Sequence, residues 1–67
     1  MLVRLGRRIR SLREERGLSQ ERLAELAHMD DKHLGVAERG GTNLTVSSAY
    51  SIARALDVSL PVLFDGV

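Results

Sequence analysis

Sixty-seven residues, 43% of them hydrophobic, carry a formal net charge of +1 and include no cysteine. A chain this short makes one domain, 1–67, with a small core; disulfides and thiolate zinc sites are excluded, and the lone histidine pair, His28 and His33, is expected to be structural or surface rather than metal-binding. No apolar run approaches the ~18 residues of a membrane span, and the arginine-dense start does not read as a signal peptide, so a cytoplasmic chain is expected.

Leu5, Ile9 and Leu12 fall at i, i+4 and i+7, one face of a first helix, and Gly17 stands where a C-terminal glycine ends it. Residues 1–16 hold six arginines against two glutamates, whereas residues 17–67 hold four basic residues against seven carboxylates, so the positive field is local to this helix. Such a field steers a domain toward phosphates, or else marks a solvated helix face. Ser19 caps a second helix, Gln20 to Ala27, with Leu23, Ala24, Leu26 and Ala27 inward. His28-Met29-Asp30 is a three-residue break, and Asp30 caps a third helix to about Arg39 with Leu34 and Ala37 inward. Gly40-Gly41-Thr42-Asn43 is the strongest loop signal in the chain. Thr45 caps a fourth helix, with Ala49, Ile52, Ala53 and Leu56 inward, and Asp57-Val58-Ser59 breaks it. Ser59 caps a short fifth helix with Pro61 in its first turn. Nothing alternates with period two long enough to make a sheet, so the expected fold class is all-α, five short helices joined by tight turns.

Two helices joined by a three- or four-residue turn are the geometry of a helix-turn-helix, here about residues 19–39. It needs a small residue where the two helices touch (Ala24), an apolar residue in the turn (Met29) and inward apolar residues on the second helix (Leu34, Ala37). The ordered set LGRRIRSLREERGLSQERLAELA at 5–27, ERG at 38–40, TN at 42–43 and SIARALDVSLPVLF at 51–64 resembles the phage-repressor (Cro-like, XRE-type) helix-turn-helix domains. The resemblance implies a lambda-repressor-like fold and a transcriptional regulator whose helix 31–39 enters the major groove of double-stranded DNA. By the same resemblance Ser19, Gln20, His33, Arg39, Thr42 and Asn43 match positions that meet the sugar-phosphate backbone, and Asp31, Lys32 and Val36 match base-reading positions. The chemistry suits those roles: a lysine donates to guanine O6 or N7, an aspartate accepts from cytosine N4, and a valine packs on a thymine methyl. Asn43 also suits a left-handed turn. Arg13 and Glu38 match a paired position tying the first helix to the third.

Three positions depart from the family pattern. His28 stands where it has glycine, Leu44 where it has proline, and Gly35 interrupts the third helix, where it is expected to permit close approach to DNA. The C-terminal region carries more apolar groups than one short helix can bury. Leu63 and Phe64 match family core positions, which leaves Leu60, Val62 and Val67, with Tyr50 nearby, as the expected interface of a homodimer on a palindromic operator. The competing reading is a protein-binding module, such as an antitoxin-like subunit on the same scaffold, favoured by the low net charge and by Asp30 and Asp31. Neither paired carboxylates, a phosphate-binding glycine loop nor a nucleophile constellation is present, so neither an enzyme nor a cofactor is expected.

Overall fold

A computed structural model describes residues 2–67 as five helices: α1 (Leu2–Glu15), α2 (Gln20–Leu26), α3 (Asp31–Glu38), α4 (Val46–Ala55) and α5 (Leu60–Leu63), with no strand among the described residues. Their starts follow side-chain chemistry. Ser19, Asp30, Thr45 and Ser59 each turn a side-chain oxygen onto a backbone N–H of the following first turn, satisfying one of the donors a helix start leaves free.

The helix ends repeat one device. After α1, α2, α3 and α4 a residue takes positive φ: Gly17 at 66°, His28 at 56°, Gly40 at 76° and Asp57 at 59°. The next backbone N–H then reaches back to a carbonyl of the last turn, as in Leu18 to Arg13 O (3.1 Å), Met29 to Ala24 O (2.9 Å) and Val58 to Ala53 O (2.9 Å). Leu18, Met29 and Val58 pack against the core, and the residue after each caps the next helix. Three of the four linkers are thus the same three-residue turn: a left-handed residue, an apolar plug, a cap. At His28 and Asp57 the left-handed backbone costs roughly 1–2 kcal/mol against glycine.

α1 packs on α3 and α5, α2 on α3 and α4, and α4 on α5, so the helices close a ring around one core. Ile9, Leu23, Leu34, Ile52, Leu56 and Leu63 are its largest fully buried side chains. Two close links shape the ring. At Gly6, α1 crosses the end of α3 so closely that a Cβ would lie 2.5 Å from Ala37 O and closer still to Glu38 O. Arg8 reaches α5 with both Nε and Nη2 donating to Val62 O, at 3.2 and 3.0 Å.

Several expectations are corrected. Leu26 is 39% exposed rather than inward. It lies about 100° around α2 from Ala27, outside the arc that Leu23, Ala24 and Ala27 already fill. Phe64 is 38% exposed, because Leu63 takes the core and the next residue on a single turn points elsewhere. Leu60 and Val67, two of the expected interface residues, pack partly against the chain's own core and stay partly exposed, which leaves their interface role open to a second copy. Asn43 is not left-handed; among the described non-glycine residues only His28 and Asp57 are.

Candidate nucleic-acid interface

The outward face of α3 follows from its buried one. Leu34 and Ala37 face the core, which turns Lys32, Gly35, Val36 and Arg39 to the opposite side at helical spacing and leaves Asp31 at its edge. Asp31, Lys32, His33 and Arg39 are exposed, and Val36 is half-buried beside Gly41. Asp30 caps the helix, its Oδ1 accepting from the Lys32 N–H at 2.8 Å, which sets where this face begins. The adjoining loop brings Thr42, half-buried, and Asn43, exposed, to the C-terminal end of α3. Ser19 is exposed at the start of α2, its Oγ accepting from the Arg22 N–H at 3.0 Å while its own O–H stays available to donate.

Beneath this face lies a polar anchor. Glu38 is the one buried charged residue among those described, its side chain 2% exposed. Its carboxylate accepts from Arg13 Nε at 2.7 Å, Arg13 Nη2 at 3.1 Å and Gln20 Nε2 at 2.9 Å. Arg13 Nη1 donates to Leu18 O at 2.8 Å, so one guanidinium joins α1, the α1–α2 turn and α3. The hydrogen bonds to Glu38, ahead of its charge, raise Arg13 above the usual guanidinium range against the opposing effect of burial. The other ion pairs, Arg10–Glu14, Arg16–Glu15 and Arg22–Glu25, lie at the surface and contribute at most about 1 kcal/mol each.

Gly35 is a site the sequence misassigned. It lies on the outward face yet is buried, because the chain's own Gln20 and Arg39 cover it. Gln20 Oε1 and Arg39 Nη1 each sit 3.4 Å from where a Cβ would stand. The space expected for close approach to DNA is therefore filled from within. Both neighbours are ends of flexible side chains, so an added methyl is tolerated. Gly35→Ala should stabilise the fold by about 1 kcal/mol through helix propensity, raising Tm by roughly 4–8 °C in a calorimetric scan. A lower Tm would mean that the two side chains are held too firmly to yield.

Gly6, the bond from Gln20 to Glu38, and the reach of Arg8 to α5 were not read from the sequence. Each joins residues 18 to 54 positions apart, or, for Gly6, depends on how two helices cross. Among the described residues no group of three or more His, Asp or Glu converges as metal ligands, and no helix is long and apolar enough to cross a membrane.

A family model described as helix-turn-helix matches residues 9–63. Control protein C.SmaI of Serratia marcescens is 39% identical over 59 residues, which cover 88% of this chain and 70% of that protein. The immunity repressor protein of Bacillus phage phi105 is 34% identical over 59 residues, 88% of this chain but 41% of the repressor. Among solved structures, the restriction-modification controller protein C.AhdI from Aeromonas hydrophila superposes with a TM-score of 0.92 at 43% identity, over 94% of this chain and 96% of that one.

Proposed function

The chain belongs to the helix-turn-helix family, and from that premise we propose that it is a transcriptional regulator that binds double-stranded DNA sequence-specifically, with α3 in the major groove. The observation that carries the reading is the outward face of α3. Lys32, Val36 and Arg39, with Asp31 at the edge, stand on one side of a helix whose other side is fastened by the core and by Glu38. In this arrangement Asp31, Lys32 and Val36 read base edges, while Ser19, Gln20, His33, Arg39, Thr42 and Asn43 serve the backbone. The exposed arginines Arg4, Arg7 and Arg10 of α1 add a positive field that favours approach to phosphates.

The working unit is a homodimer. One domain of this size grips too little DNA for selectivity, and two half-sites multiply affinity through effective concentration. Of the expected interface residues Val62 and Tyr50 are exposed, with Phe64 beside them on the α5 segment, while Leu60 and Val67 are partly buried and keep part of their surface for a second copy.

Selection of bound sequences from a random duplex pool at physiological salt tests the reading. A two-fold repeated motif with half-sites about 34 Å apart is expected. Lys32→Ala should cost about 1–3 kcal/mol and blur one or two base pairs per half-site, whereas Arg39→Ala should weaken all sequences alike. An enriched pool with no common motif overturns sequence-specific binding; a single unrepeated half-site overturns the dimer.

A further inference from the structure

α5 is four residues long, and a single helical turn has no stability of its own. Burial holds it in place: Leu63 is fully buried, and Leu60 packs partly on the core. Apolar burial is non-directional, so it fixes where α5 sits better than how it is turned. Direction comes from Arg8. Its Nε and Nη2 both donate to the Val62 carbonyl oxygen, at 3.2 and 3.0 Å, near the end of α5 where carbonyls lack helical partners. Val62 precedes Leu63, and its side chain is 42% exposed. The residue that α1 grips by its backbone is thus one that turns an apolar side chain outward, with Phe64 two positions on.

α1 is also the helix to which α3 is fixed. At Gly6 the two backbones meet, and Arg13 binds Glu38 at 2.7 and 3.1 Å. Arg8 stands about 200° around α1 from Gly6, on the other flank. One helix of 14 residues therefore carries α3 on one side and α5 on the other. In the other direction around the ring, the main packing from α3 to α5 runs through both α2 and α4. In a two-fold dimer joined at the α5 segment, the angle between α5 and α3 within each chain decides how the two copies of α3 stand to one another. One base pair more or fewer moves a half-site by about 3.4 Å and turns it by about 36°, so a small change in that angle is a change of register.

We propose that Arg8 is a positioning residue that sets the half-site separation the dimer accepts, through its grip on Val62 and without contact to DNA. The proposal rests on the dimeric DNA-binding reading above and assigns one property of it to one pair of hydrogen bonds.

Separation can be measured apart from affinity. Fluorescent duplexes carry two inverted copies of the half-site recovered by selection, at the recovered separation and at one or two base pairs more or fewer, beside a duplex with a single copy. Anisotropy follows binding, sedimentation equilibrium follows the dimer, and thermal melting verifies each fold. Wild type is expected to lose roughly tenfold in affinity at one base pair from the recovered separation. Arg8→Met should still dimerise, yet its loss should fall to about threefold or less. Arg4→Met, which removes the same charge from an exposed position of the same helix, should match Arg8→Met on the single copy and keep the wild-type dependence on separation. Arg8→Lys keeps the charge without the fork and should fall between, and it carries the test if Arg8→Met melts below the assay temperature. A wild-type dependence in Arg8→Met, or in Arg8→Lys where it stands in, overturns the proposal. So does an equal flattening in Arg4→Met, or an Arg8→Met chain that no longer dimerises; each of these leaves the dimeric reading standing. A wild-type chain indifferent to separation, or bound one chain per site, overturns both.

Discussion

Arg13→Met is expected to destabilise the protein by about 3–5 kcal/mol, because it leaves the buried Glu38 carboxylate without its cation. A domain of this length has roughly 3–10 kcal/mol in total, so the variant stands near or beyond its unfolding midpoint at room temperature. The size of the effect comes from asymmetry. With Arg13 present, Glu38 accepts two of its three side-chain hydrogen bonds from the guanidinium. Without it, only the neutral amide of Gln20 remains, in a place with little access for water. Removing the carboxylate as well should restore most of the loss, since the net worth of a buried pair against apolar groups of similar size is small. Urea titrations of wild type, Arg13→Met, Glu38→Leu and the double variant measure the coupling. A midpoint for Arg13→Met within error of wild type would show that solvent reaches Glu38 and that the pair is no more than a surface contact.

The same pair shows how far a sequence can be read. Arg13 and Glu38 came from family resemblance, and no local pattern joins two positions 25 residues apart. Helix starts were readable because a cap is the chemistry of one side chain: Ser19, Asp30, Thr45 and Ser59 all cap as expected. Helix ends were readable where the left-handed residue is glycine, as at Gly17, and for His28 only by comparison with the family. Asp57 gave no such signal, although it closes α4 by the same bonds. The repeated turn is visible in retrospect as Gly17-Leu18-Ser19, His28-Met29-Asp30 and Asp57-Val58-Ser59, in which the apolar plug and the cap recur while the left-handed residue varies.

At the candidate site helical period turns Lys32, Val36 and Arg39 away from Leu34 and Ala37, while the choice of Asp31, Lys32 and Val36 as base readers came from the family resemblance. What covers Gly35 follows from neither, because Gln20 belongs to another helix and its amide is turned by a third residue. The exposure of Phe64 escaped sequence reading for a related reason. Period predicts which face of a long helix is buried, but α5 has only four residues. Its burial is set by where the ring closes, so Leu63 goes in, Phe64 stays partly out, and Leu60 and Val67 fold back onto the core.

Gly6→Ala should reverse the sign that helix propensity assigns to it. Within a solvated helix the change stabilises by about 1 kcal/mol. Here the new methyl would stand 2.5 Å from Ala37 O and closer still to Glu38 O, well inside van der Waals contact. Both atoms are backbone of α3, so no side chain can rotate away, and α1 and α3 must part. Overpacking of this kind costs about 1–3 kcal/mol, and a clash with backbone belongs at the upper end. The separation also strains the bonds from Arg13 to Glu38, which span the same pair of helices. A net loss of roughly 2–3 kcal/mol is expected, and with it a retilting of the recognition helix that weakens specific DNA binding even at temperatures where the variant is fully folded. Ser11→Ala, at an exposed position of the same helix, is the control and should be neutral or slightly stabilising. Thermal melts of the two variants beside wild type decide the matter: a Gly6→Ala chain as stable as the control would mean that α1 and α3 cross farther apart in solution than this structure places them.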